Sequence, residues 1–162
     1  MSGSVLHSWL AELTDDDAPS DGRTGPSCAA NACEEEASGL NFRTAIEAHQ
    51  DWKMRLHAVI ESRSEEELDP ELASRDDRCE LGQWIHGAGV CQFGGQPEFV
   101  DLRNRHAAFH LCAGRVLSLA QSGKPALAAA EMAPGGEFAR VSREVVGDLA
   151  AMFMRLKDVE AR

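Results

Sequence analysis

Towards the end of the chain, apolar residues recur at intervals of three and four: Phe138, Val141, Val145, Leu149, Met152, Leu156 and Val159. A helix with 3.6 residues per turn gathers these positions on one side, whereas a strand would split them between two faces. The same spacing runs through Leu40–Ser62, where Phe42, Ala45, Ile46, Trp52, Leu56, Val59 and Ile60 form a stripe. It returns after Pro97 in Phe99, Leu102, Phe109, Ala113, Val116, Leu117 and Ala120. Pro97 suits a first helical position, and Gly123 supplies a stop. A short Ala-rich segment, Pro125 to Ala133, ends at Pro134-Gly135-Gly136. Strand-like alternation is absent and no segment repeats. Four main helices with short connections predict an all-α fold, a four-helix bundle. An acidic, Pro-interrupted connection from Arg63 to Arg78 precedes a further short helix near Cys79–Ile85. A Gly-rich loop, Gly87 to Gly95, is expected after it.

Charge divides the chain. Its 162 residues carry 16 Lys and Arg against 27 Asp and Glu, a net −11. That acidity argues against non-specific binding to nucleic acid or to an anionic membrane surface, both of which need positive charge. Residues 1–39 hold eight of the acids and a single base, Arg23. Their Asp, Ser, Gly, Pro and Ala content predicts a largely disordered tail. Within it Val5, Leu6, Trp9, Leu10 and Leu13 fall at helical spacing, which suits either a short docking helix over 4–13 or a fraying end. Residues 40–162 form the expected folded unit. No apolar run approaches the roughly 20 residues of a membrane-spanning helix. The first residues lack the basic and apolar regions of a secretory signal, so a cytoplasmic protein without membrane insertion is expected. Five Cys are too few and too scattered for a disulfide scaffold; with six His they read better as metal ligands or redox groups.

The informative polar residues are those that interrupt the apolar stripes. His49 lies between Ile46 and Trp52 on the first helix; His106 and His110 lie among Leu102, Phe109 and Ala113 on the third. Burying three imidazoles without a shared task costs several kcal/mol of desolvation. An i, i+4 pair projects two ring nitrogens to one side, as a metal requires. Cys79 is the natural fourth ligand. It opens the short helix after Asp76 and Asp77, where either Asp or Ser74 is a candidate cap. The backbone amides there are expected to favour its thiolate. Leu81, Trp84 and Ile85 would press this turn onto the bundle. One thiolate and three imidazoles make a closed tetrahedral set that suits Zn²⁺. With no open position, the metal is expected to be structural or regulatory, and no catalytic residue is assigned.

These residues carry a resemblance. His49-Gln50-Asp51-Trp52, Cys79-Glu80-Leu81-Gly82-Gln83-Trp84 and His106-Ala107-Ala108-Phe109-His110 closely resemble the HxxW, CxLGxW and HxxFH motifs of the chemoreceptor zinc-binding domain, in the same order. The resemblance spans about residues 40–160 and carries over His49, Cys79, His106 and His110 as ligands. It implies a regulatory part of bacterial chemoreceptors and diguanylate cyclases, tight zinc binding, frequent homodimers and, in some members, sensing of hypochlorous acid through the cysteine. Trp52, Trp84 and Phe109 are expected to pack around the ligand-bearing segments, with the indole N–H groups supporting the site.

Other residues are set aside. His57 falls at the edge of its stripe, His86 begins the Gly-rich loop, and Cys112 points away from His110. Cys91 is at most an accessory thiol, and Cys28 and Cys33 in the tail read as incidental thiols. Gly135-Gly136-Glu137-Phe138 echoes a diguanylate cyclase signature but is one residue short, and an all-α chain of this length has no room for that catalytic domain. The expectation is therefore a non-enzymatic sensor of zinc or oxidants, with Cys79 redox-sensitive. Its helix rearrangement would reach a signalling partner in trans, such as a chemoreceptor or diguanylate cyclase. The alternative, a di-iron hemerythrin-like oxygen-binding or oxidase bundle, needs core carboxylates, and Glu47 and Asp51 flank the stripe instead of occupying it.

Overall fold

The computed structural model describes residues 39–160, so the tail and its proposed helix over 4–13 lie outside the described residues. Helix α1 (Phe42–Ile60) begins at Asn41, whose side chain accepts a hydrogen bond from the Thr44 amide at 3.1 Å. Its inward face is Phe42, Ala45, His49, Trp52 and Leu56. It ends where Ser62 takes a positive φ of 53°, with Ser62 and Arg63 amides closing back on the Val59 and Ala58 carbonyls. A four-residue helix α2 (Pro70–Ala73), α3 (Glu80–Trp84), a π-helical turn (Ile85–Gly89) and α4 (Val90–Phe93) lead to the two longest helices. These are α5 (Pro97–Gln121) and α7 (Glu137–Glu160), joined by the shorter α6 (Pro125–Met132).

The expected all-α bundle is what forms: α1, α5, α6 and α7 are its main helices, and α3 is the additional short one. No strand occurs among the described residues. Helix α5 is the central element and packs on α7, α6, α2 and α1. Ion pairs fix α5 antiparallel to α7, with Arg155 2.7 Å from Glu98 and Arg105 2.6 Å from Asp148. Phe99, Leu102, Phe109, Leu117, Phe138, Val145 and Leu149 are fully buried between these helices. Gly123, at φ 72°, stops α5 as its position suggests: its amide and that of Lys124 bond the Ala120 and Leu119 carbonyls. That pairing satisfies carbonyls that the helix end leaves open.

Two expectations change. The Gly-rich stretch is not a loop, because Ile85–Gly89 and Val90–Phe93 are helical turns. Gly87 interrupts them at φ −110°, ψ −107°, and Gly89 is packed so closely that a Cβ there would lie 2.8 Å from the Trp84 carbonyl. The acidic connection is also partly ordered. Asp69 caps α2 through the Glu71 amide at 2.8 Å, and Pro70 fills the first turn. Gly136 stands against the Ala130 and Glu131 carbonyls, so the echo of a cyclase signature is a close-packed turn into α7.

Candidate metal centre

Helix α3 puts Cys79 at the site. Cys79 itself is the N-cap: its backbone is extended (φ −83°, ψ 160°), and its Sγ accepts from the Gly82 amide at 3.3 Å. The cap expected from Asp76, Asp77 or Ser74 is thus supplied by the ligand candidate, the residue directly before the first helical position. Gly82 has a second role. A Cβ on it would lie 1.6 Å from the Asp76 carbonyl oxygen, so α3 crosses the preceding segment of chain at a distance that only glycine permits. Gly82→Ala is expected to lower the free energy of unfolding by about 2 kcal/mol or more, as overpacking against fixed backbone does. Urea unfolding reads this directly, and a change under about 0.5 kcal/mol would show that the crossing relaxes freely.

The three histidines are buried on two helices facing α3. His49 Nδ1 donates to the Ala45 carbonyl at 2.8 Å, one turn back on α1. His110 Nδ1 donates to the Ala73 carbonyl of α2, also at 2.8 Å. Each bond places the ring proton on Nδ1 and leaves Nε2 with a lone pair, the tautomer that a metal ligand needs. His106 Nε2 lies 3.2 Å from Cys79 Sγ and His110 Nε2 lies 3.5 Å from it. Around a tetrahedral Zn²⁺ with usual bond lengths, sulfur and nitrogen ligands stand about 3.5 Å apart. The spacing therefore fits a metal ion without rearrangement.

Cys79, His106 and His110 form one group, with their ligand atoms all within 4.8 Å of one another. His49 does not join that group, but its ring centre is 5.5 Å from that of His106. Its Nε2 is buried with no hydrogen-bond partner, as is His106 Nδ1. An orphaned nitrogen beside a ready ligand group is costly unless something fills it. No carboxylate belongs to the group among the described residues, so the donor set is poor for a di-iron centre and good for zinc.

Burial sets the proton inventory. It lowers the His49 pKa to about 4 and that of His106 well below its usual value. His110 is lowered by the same cause, offset in part by the Ala73 carbonyl and by Asp76 and Asp77. All three rings are neutral and ready to coordinate. For Cys79, burial outweighs the amide bonds from Gly82 and Leu81 and pushes the thiol up to about 11. The thiolate expected from the helix start is therefore not favoured by the protein alone, because α3 is only five residues long and the sulfur is desolvated. A divalent cation reverses this balance by replacing the thiol proton.

Residues 49–117 match the family model of the chemoreceptor zinc-binding domain, a span that begins at His49 and takes in Cys79, His106 and His110. Over those residues the chain is similar to the chemoreceptor zinc-binding domain. No curated protein and no solved structure matches the chain. The aromatic residues of the three motifs, Trp52, Trp84 and Phe109, are packed inside. Trp84 meets Phe42 and Phe99 edge-on, each at 5.8 Å between ring centres. Phe109 lies 4.7 Å from His49, and the guanidinium of Arg55 stands 4.8 Å above Trp52. His86 turns outward to Asp76 at 3.0 Å, and His57 and Cys112 are half-buried away from the ligand group. No helix among the described residues is long and apolar enough to cross a membrane.

Sequence reading missed the Ala73 carbonyl. A backbone acceptor 37 residues from its donor leaves no trace in composition. The pair Asp69-Pro70, a cap followed by a first-turn proline, is the signal that marks α2.

Proposed function

We propose that the chain is a non-catalytic sensor in which one Zn²⁺ is held by Cys79 Sγ and by Nε2 of His49, His106 and His110. The observation that carries this reading is the buried, partnerless Nε2 of His49 beside the cluster of Cys79, His106 and His110. Zinc supplies the link between α1, α3 and α5 that these neutral side chains cannot make among themselves. Cys79 is the redox-sensitive member. An oxidant such as hypochlorous acid converts its thiolate to a sulfenic acid with release of chloride, and the oxidised sulfur is a poor zinc ligand. Loss of the ligand frees α3 from α5, and the buried Trp84 passes that movement to Phe42 and Phe99. The signal goes to a second copy of the chain or to a signalling protein in trans, such as a chemoreceptor or diguanylate cyclase, in the cytoplasm.

Metal analysis of the purified chain beside Cys79→Ala and His106→Ala tests the assignment. One zinc per wild-type chain is expected, with loss of tight binding in both variants. Full zinc in both would make the four-ligand set wrong. Adding hypochlorous acid to the wild type should release zinc in step with oxidation of Cys79, followed with a chromophoric indicator.

A further inference from the structure

Helix α2 is tied to α5 at successive heights. Gln121 Nε2 donates to the Leu68 carbonyl at 2.7 Å, and His110 Nδ1 donates to the Ala73 carbonyl at 2.8 Å. Between them the two segments meet at Gly114, one helical turn beyond His110 on the same face of α5. A Cβ on Gly114 would lie 1.9 Å from Ser74 Oγ and 2.5 Å from the Pro70 carbonyl oxygen. Ser74 Oγ in turn donates to that same carbonyl at 2.8 Å. The Pro70 carbonyl is backbone and cannot rotate aside, so any side chain at position 114 must lift α2 off α5. A glycine inside a long helix costs about 1 kcal/mol relative to alanine. Here the absent side chain is what permits the contact.

From this we infer that Gly114 is a positioning residue for the metal centre, acting through α2 on His110. The close approach at Gly114 holds the Ala73 carbonyl where it can accept the His110 Nδ1 proton. That bond fixes the ring rotation and the tautomer with Nε2 towards Cys79. A lift of α2 by about 1 Å takes a 2.8 Å hydrogen bond beyond useful length. His110 then loses the acceptor that orients it, and the donor set is no longer preformed. Partners of this kind are worth about 10- to 100-fold in metal affinity. The inference rests on the zinc-site reading above and extends it to a residue that touches neither metal nor ligand.

The test compares zinc affinity and histidine tautomers in the full chain. Gly114→Ala is expected to bind one zinc about 10- to 100-fold more weakly in chelator competition. In ¹H–¹⁵N spectra its His110 Nδ1 proton should exchange freely, while the His49 Nδ1 proton, bonded within α1, stays protected. Ser74→Val fills the same gap from the α2 side with α5 unaltered. It should reproduce both effects, which keeps the inference testable if Gly114→Ala folds poorly. Gly147→Ala, at a helical glycine where an added methyl would meet nothing within 4 Å, serves as the control and should leave zinc affinity unchanged. Wild-type zinc affinity in Gly114→Ala or Ser74→Val overturns the inference, as does equal loss of protection at His49 and His110. A wild type that binds no zinc sinks the proposed function instead, and the His110 tautomer in the metal-free chain still decides the role of Gly114.

Discussion

Removing zinc with a strong chelator is expected to lower the melting temperature of the chain by more than about 10 °C. A ligand that binds only the folded state adds about 4 kcal/mol of stability at 1,000 times its dissociation constant. For a unit of this size each kcal/mol moves the melting point by roughly 4 °C. The helices have a substantial apolar core of their own, centred on α5 and α7, so the metal-free protein should stay helical and melt earlier. Calorimetry with and without chelator measures the difference, and readdition of zinc should restore it. Cys79→Ala should melt near the chelated wild type and respond little to either treatment. An unchanged melting point on complete zinc removal would mean that the metal does not link α1, α3 and α5.

The second large effect is acid sensitivity of the metal-free protein. His49 has a pKa near 4 in the folded chain because it is buried, against 6.5 for an ordinary histidine. Between those values the unfolded chain holds the extra proton, so stability rises with pH across the window and is lost as pH falls through it. His49 alone contributes about 3 kcal/mol to that loss. His106 and His110 shift in the same direction and add to it. Cys79 acts oppositely at high pH. Its pKa is raised from 9.0 to about 11, so the folded chain retains a proton that the unfolded chain gives up, and stability declines above pH 9. Urea unfolding of chelator-treated protein at pH 7 and pH 4.5 should show a steep difference in the wild type and a smaller one in His49→Leu. Equal slopes in the two proteins would falsify the buried neutral state of His49.

Much of this architecture is readable from residue spacing. The seams from Phe42 to Leu56 and from Phe138 to Met152 are inward faces, because helical periodicity accumulates over many turns. The three histidines stand out for the same reason: each is polar where the period demands an apolar residue. Short elements escape this logic. Helix α2 is four residues long, less than two turns, and no period can be counted over Pro70–Ala73. The π-helical turn is hidden by glycines that ordinarily signal a loop, since what orders them is contact with Trp84 and Phe99. Backbone acceptors are invisible in principle. Ala73 and Ala45 orient two rings through carbonyls that every residue type possesses.

Cys79 closes the first turn of α3 with the same sulfur that faces His106 and His110. One atom thereby serves both the local turn and the candidate metal group. A serine or aspartate at position 79 would keep the turn and surrender a soft ligand, while an alanine would surrender both. In the proposed sensor, a chemical change at this sulfur would act as a deletion and a loosening in one event, with no separate latch between detection and movement.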